Sequence, residues 1–225
     1  MFAWAGAALF FLSLVFFFYS YLVTFSRAAA VTPPGALVVN VALFTVFALH
    51  HSAFARESIR ARVARVVPPR LERSFYVWVA SLLFIAVCAW WQPVAGVFWE
   101  VGGPMLALLW ALQVFGAWLT LRSAMIIDLR TLAGLRQREA NSPGEGEFKA
   151  EGPYGWVRHP IYSGWFLLVF ATSPMTGTRL LFAVISSAYL LLAIPLEERS
   201  LRVTTNGEYE RYMHQVKWKL VPGIY

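Results

Sequence analysis

Cysteine occurs once in the 225 residues, at Cys88, inside an apolar run. One thiol excludes a disulfide framework and a thiolate metal site, and leaves Cys88 as a small buried apolar side chain. No histidine has another at i+4, and His50 and His51, as helix neighbours, point about 100° apart, so they cannot share one metal ion from a regular helix. Gly144-Glu145-Gly146 lacks the strand, the third glycine and the βαβ setting of a dinucleotide fingerprint. There is no internal repeat. Charge is also scarce, at 14% of the chain, while hydrophobic residues make up 59%. That balance excludes an ordinary soluble domain.

What is present is a series of apolar runs long enough to cross a bilayer. They cover about residues 3 to 25, 36 to 55, 74 to 91 and 104 to 121, then a pair from 160 to 171 and 180 to 196 that turns at Ser173-Pro174-Met175-Thr176-Gly177-Thr178. No positive charge precedes the first run, and Phe2 to Phe25 is longer than the 7 to 15 or so apolar residues of a signal peptide, so a retained transmembrane helix is expected. The net charge of +7 comes from arginines placed in alternate connections. Arg56, Arg60, Arg62, Arg65, Arg70 and Arg73 follow the second run, and Arg122, Arg130, Arg136, Arg138 and Lys149 follow the fourth, whereas 92 to 103 has no Lys or Arg. This is the positive-inside pattern and not a nucleic-acid surface.

The expected fold is therefore all-α: a polytopic inner-membrane protein of about five to six transmembrane helices, with a C-terminal helical hairpin and both termini cytoplasmic. One integral membrane domain spans 1–225, with a four-helix part over 1–121 and a second part over 122–225. Asn141-Ser142-Pro143-Gly144-Glu145-Gly146 is a loop signal inside the one long polar stretch, the length expected of a lid or binding loop. Tyr209, Tyr212, Met213 and Val216 at i, i+3, i+4 and i+7, followed by Lys217-Trp218-Lys219, predict a helix lying on the inner leaflet.

The chemistry gathers at the cytosolic mouth of the hairpin. Pro160 suits a first helical turn, so Arg158 and His159 stand just outside a helix N-terminus, where anions are favoured. At about 1.5 Å per residue the returning helix brings Glu197 and Glu198 to the same level. The plain alternatives are an Arg158 that reaches for headgroups and a Glu198 to Arg202 pair at i,i+4. Against them, ionisable groups beside lipid are costly and usually serve a purpose. Arg158 offers a fork to a carboxylate, Glu197 or Glu198 balances a cation, and Tyr162 hydrogen-bonds or stacks. A ligand carrying both a carboxylate and a cationic centre satisfies all three, and S-adenosylmethionine has that charge pattern.

The run Gly152-Pro153-Tyr154, Arg158-His159-Pro160-Ile161-Tyr162, Gly164, Glu197-Glu198, Tyr209 and Tyr212 resembles the C-terminal signature of the isoprenylcysteine carboxyl methyltransferase and phospholipid methyltransferase superfamily. The front half, with His51-Ser52-Ala53-Phe54-Ala55-Arg56, Pro68, Glu72-Arg73-Ser74, Tyr76, Trp91-Gln92-Pro93, Ile127-Asp128 and Gly134-Leu135-Arg136-Gln137, is similar to the branch of methanethiol S-methyltransferases and NnrU-like proteins. It departs at Leu129-Arg130-Thr131-Leu132-Ala133, where those thiol enzymes carry more aromatic residues.

The resemblance implies that the C-terminal part binds S-adenosylmethionine at the cytosolic face through Gly152, Tyr154, Arg158, His159, Pro160, Tyr162, Glu197, Glu198, Tyr209 and Tyr212. It implies methylation of a small or lipophilic thiol, with His51, His159, Glu197 and Glu198 as candidates for handling the acceptor proton, the membrane lipid as surroundings and no metal. Carboxyl methylation of a prenylated cysteine and N-methylation of a phospholipid stay open, as does an NnrU-like sensor or transporter without catalysis. A nicotinamide-dependent sterol reductase would need further spans. Oligomeric state, the acceptor, and which glutamate or histidine acts are not legible in the sequence.

Overall fold

The computed structural model describes residues 1–53, 59, 62–63, 65–68, 71–135, 150–205 and 207–225. The loop signal at 141 to 146 and much of the basic connection, Arg56, Arg60 and Arg70 included, lie outside them. The helices are α1 (Phe2–Tyr19), α2 (Ala36–Ala53), α3 (Glu72–Trp90), α4 (Gly103–Ile127), the short α5 (Leu129–Leu132), α6 (Pro160–Phe170), α7 (Gly177–Thr204) and α8 (Glu208–Gln215). Two short strands, β1 (Val97–Trp99) and β2 (Met175–Thr176), pair antiparallel. Among the described residues five helices are long and apolar enough to cross a membrane: α1 with its π-helical extension to Thr24, α2, α3, α4 and α7. The protein is thus all-α and multi-pass, as the sequence predicts. α4 and α7 run longer than their apolar cores, because helix hydrogen bonding continues past the lipid into polar residues: Arg122 lies within α4, and Glu197 to Arg202 within α7.

The chain divides into two compact units. The first comprises Met1–Glu100, Asp128–Arg138 and Pro174–Ile185. Its core is an aromatic cluster around the fully buried Phe182, which Phe17, Tyr21, Phe25 and Trp91 surround at centroid distances of 5.6, 5.7, 5.7 and 5.1 Å. The π turn Ser20–Thr24 widens the helix and frees carbonyls that the regular ladder would use. Arg179, 3% exposed, supplies donors to two of them, Nε to Tyr21 O and Nη2 to Leu22 O at 2.9 Å each, while its Nη1 donates to Pro174 O at 2.7 Å.

Three connections meet at this end. β1 pairs with β2, Ala29 bridges Ala95, Ala95 N donates to Thr32 Oγ1 at 2.9 Å, and Thr176 Oγ1 donates to Phe25 O at 2.5 Å. Each alternate connection therefore returns to one face of the unit, which is the alternation the charges predict. At the other end Arg73 Nε donates to Thr131 O at 3.1 Å and Ser74 Oγ to Gly134 O at 2.7 Å. They clamp the start of α3 to the turn that follows Asp128.

The second unit comprises Val101–Ile127, Glu139–Ser173 and Ser186–Tyr225. Here α4 and α6 cross on two glycines: a Cβ at Gly116 would lie 2.6 Å from Gly164 O, and one at Gly164 would lie 2.6 Å from Gly116 O. Small residues let membrane helices approach this closely. Gln113 Nε2 donates to Leu168 O at 2.9 Å and Trp165 Nε1 to Ser186 Oγ at 3.0 Å, which fix α6 between its neighbours. The α8 face expected to lie on lipid is instead packed inside: Tyr209, Tyr212 and Val216 are 1%, 3% and 4% exposed, and Leu201 and Met213 pack against them. Burial against protein also satisfies the phenol of Tyr212, which a bilayer would not do.

Candidate cofactor site

Gly152 enters the site with φ +55°, a left-handed turn that sends the chain through the 3₁₀ turn Gly152–Gly155 to Trp156 and Arg158. Pro160 at the first position of α6 leaves His159 as the cap residue. Two side chains then converge on Glu198, nearly two turns from the end of α7 at Thr204. Arg158 Nε donates to Glu198 Oε1 at 2.8 Å, and His159 Nε2 lies 3.3 Å from the same oxygen. The ion pair is nearly dry, with side-chain exposures of 5% for Arg158 and 6% for Glu198. Glu197 points to the other side: Tyr162 Oη donates to its Oε1, its Oε2 is 3.7 Å from His159 Nδ1, and its side chain is 44% exposed. The His159 ring stacks on Tyr162 at 5.4 Å and 15°.

The C-terminal segment straps this cluster. Arg158 N and His159 N donate to Trp218 O and Lys219 O at 2.9 Å each. Arg158 Nη1 donates to Val216 O at 3.0 Å and to Lys217 O at 2.7 Å, and Ser163 Oγ donates to Leu220 O at 2.7 Å. Nε of the Arg158 guanidinium is engaged by Glu198 and Nη1 by two carbonyls, as a buried guanidinium must find acceptors inside the protein. The amides of Arg158 and His159, just before the helix N-terminus, are likewise taken by the strap.

Burial lowers the basicity of His159, and the charges of Arg158 and Lys219 act in the same direction; the bond and charge of Glu198 oppose them, and the balance falls below the ordinary imidazole value. His159 is therefore neutral at pH 7, and its contact with Glu198 places the hydrogen on Nε2. Burial raises the phenols of Tyr154, Tyr209 and Tyr212, so all three stay protonated. Tyr212 Oη donates to Tyr154 O at 2.8 Å, tying α8 to the turn before Arg158.

Of the residues expected from the sequence, Gly152, Tyr154, Arg158, His159, Pro160, Tyr162, Glu197, Glu198, Tyr209 and Tyr212 all belong to the second unit. His51 belongs to the first, where Tyr76 Oη lies 2.5 Å from its Nδ1. Glu198 also lines an open cavity of about 420 Å³ together with Pro195, Arg199, Arg202, Val203 and Lys219. The two arginines and Lys219 escape the sequence reading. Arg199 and Arg202 stand in line with Pro195 and Val203 on α7, at i+4, i+7 and i+8, but nothing local says that the strap closes over that face. Among the described residues no group of three metal-ligating side chains occurs.

The site thus offers a neutral histidine, a buried acid held by arginine, and a cavity with both signs of charge. The model of the isoprenylcysteine carboxyl methyltransferase family matches residues 120–203, from the last turns of α4 almost to the end of α7. A methanethiol S-methyltransferase of Mycobacterium tuberculosis is 37% identical over 202 residues, covering 88% of this chain and 83% of that protein. One of Crocosphaera subtropica is 36% identical over 194 residues, covering 84% and 76%. Nurim of Sus scrofa is 31% identical over 193 residues, covering 79% and 72%. No solved structure matches. The similarity runs through both the strapped hairpin and the helices before it, and the chain belongs to the isoprenylcysteine carboxyl methyltransferase family.

Proposed function

We propose that the protein is a membrane methyltransferase that moves the methyl group of S-adenosylmethionine to the sulfur of a small thiol. The observation that carries this reading is the cavity beside the buried Arg158–Glu198–His159 cluster. At about 420 Å³ it is of the size of small-molecule sites, which run from about 300 to 1,000 Å³. Its lining carries one carboxylate, Glu198, and three cations, Arg199, Arg202 and Lys219. The cations suit the donor's carboxylate, and Glu198 suits its ammonium or sulfonium.

When bound, S-adenosylmethionine supplies an electrophilic methyl group on a sulfonium. The residues of this chain do the rest. Arg158 holds Glu198 in place, and His159 fixes the remaining orientation of the carboxylate. Tyr162 and Glu197 brace the first turn of α6 against α7. Alignment of acceptor and donor supplies most of the rate. The acceptor is a small thiol by the names of the similar enzymes. The protein lies in the inner membrane with both termini cytoplasmic, as the arginines of alternate connections favour.

Purified protein supplied with methyl-labelled S-adenosylmethionine and a panel of methanethiol, a prenylcysteine and phosphatidylethanolamine tests the reading. Label in methanethiol is expected. Label in one of the other two acceptors instead, or no binding of S-adenosylhomocysteine in calorimetry, overturns it.

A further inference from the structure

Of the residues that line the cavity, Pro195, Glu198, Arg199, Arg202 and Val203 belong to α7, and Lys219 to the strap. The chain around this lysine is folded to hold it. Lys219 O accepts from His159 N at 2.9 Å, which seats the residue against the Arg158–His159 corner. Past it, Pro222 and Gly223, the latter at φ +83°, turn the chain back on itself. Tyr225 O then accepts from Lys219 N, Leu220 N and Val221 N at 2.8, 2.7 and 3.0 Å. That return brings the tyrosine side chain against the lysine: Lys219 Nζ donates to Tyr225 Oη at 3.2 Å and stands 4.6 Å from the ring centroid. Lys219 is half-buried, whereas Arg199 and Arg202 are exposed. All of these residues lie in the second unit.

A lysine on an open surface is a flexible point charge, and binding a ligand with it costs the freedom of a long side chain. Tyr225 removes part of that freedom beforehand. Its hydroxyl takes one of the three ammonium donors, and its ring offers a face to the charge. The same cavity carries the Glu198 carboxylate, which Arg158 and His159 hold. A fixed lysine and a fixed glutamate on one cavity suit a ligand whose carboxylate and ammonium share a carbon atom, and the amino-acid end of the donor is such a group.

We propose that Lys219 recognises the carboxylate at the amino-acid end of the donor, with Tyr225 as the positioning residue that fixes its ammonium. The turn over 219–225 thereby makes the cavity selective for a donor that carries the carboxylate. The inference rests on the methyl-transfer reading above. Arg199 and Arg202, exposed on α7, contribute less, because solvent and salt screen exposed charges.

Calorimetry on the full chain with two ligands tests this: S-adenosylhomocysteine, and its decarboxylated counterpart, which keeps the adenosine, the thioether and the amine. Wild-type protein is expected to bind the first at least about tenfold more tightly. Lys219→Met keeps the length of the side chain and should remove the preference, weakening S-adenosylhomocysteine at least about tenfold and the decarboxylated ligand less than about twofold. Tyr225→Phe, which keeps the ring and loses the hydroxyl, should weaken S-adenosylhomocysteine about threefold and leave the other ligand unchanged. It carries the test should Lys219→Met fail to fold. Arg199→Met and Arg202→Met should each keep the preference to within about threefold. Equal weakening of both ligands by Lys219→Met, or a wild type without the preference, overturns the role of Lys219. So does a preference that survives in Lys219→Met and is lost in either arginine variant. Unchanged binding of both ligands in Tyr225→Phe overturns the role of Tyr225. Wild-type protein that binds neither ligand overturns the methyl-transfer reading instead.

Discussion

Replacing Glu198 by alanine removes one partner of a pair whose side chains are 5% and 6% exposed. Arg158 would keep Val216 O and Lys217 O as acceptors, but its charge would stand uncompensated in a dry site. Removing one member of a buried pair costs about 3–5 kcal/mol; with two carbonyls left in place, the lower end, about 3 kcal/mol, is expected. At roughly 2–4 °C per kcal/mol for a chain of this length, the melting temperature in detergent should fall by about 6–12 °C. Binding of S-adenosylhomocysteine should weaken at least tenfold, about 1.4 kcal/mol.

The double variant Arg158→Met with Glu198→Leu separates the two effects. Well-packed apolar replacements of a buried ion pair are often neutral in stability, so it should melt within a few degrees of wild type and still fail to bind. An alanine variant as stable as wild type would refute the burial argument. A double variant that binds normally would refute the role of the cluster in holding the donor.

His159 gives a pH prediction. Its folded-state value lies below the ordinary 6.5 or so, so its contribution to stability is complete above that pH and is lost as pH falls from there toward the lowered value. The melting temperature should drop between pH 7.5 and 5, and His159→Gln should flatten that part of the profile. Gly164→Ala places a Cβ 2.6 Å from Gly116 O and should destabilise by about 1–3 kcal/mol. Gly102→Ala, with nothing within 4 Å of the added carbon, should stay within about 0.5 kcal/mol in the same melts. Deleting residues 216 to 225 removes the carbonyls that hold Arg158 and His159. Calorimetry with S-adenosylhomocysteine should then show no binding, while Ser163→Ala, which loses one bond to the strap, should weaken it less than about tenfold.

Several site residues are legible in the chain because their spacing has one geometric outcome. A proline that starts a helix after Arg158-His159, and a second helix that returns over a matching length, leave Glu197 and Glu198 nowhere else to stand. The apolar runs mark the spans for the same kind of reason, since backbone in lipid must satisfy itself within a helix. Arg199, Arg202 and Lys219 are not legible, because whether they face a cavity depends on the path of residues 216 to 220. The pair Asn40 and Gln92 is equally silent: Asn40 Nδ2 donates to Gln92 O at 2.9 Å and Gln92 N to Asn40 Oδ1 at 2.7 Å, across 52 positions of chain.

The sequence by itself determined the class of fold, the alternation of its connections and the pairing of the Arg158-His159 corner with the end of α7, since these follow from hydrophobicity, charge placement and helix rise. Only the tertiary structure decided which glutamate meets Arg158. Neighbouring positions on α7 differ by about 100°, and that rotation turns Glu198 to the buried guanidinium and Glu197 to Tyr162. The tertiary structure also decided that Nη1 of the arginine is spent on the protein's own tail, because hydrogen bonds to backbone carbonyls carry no signature in the identity of the residues that supply them.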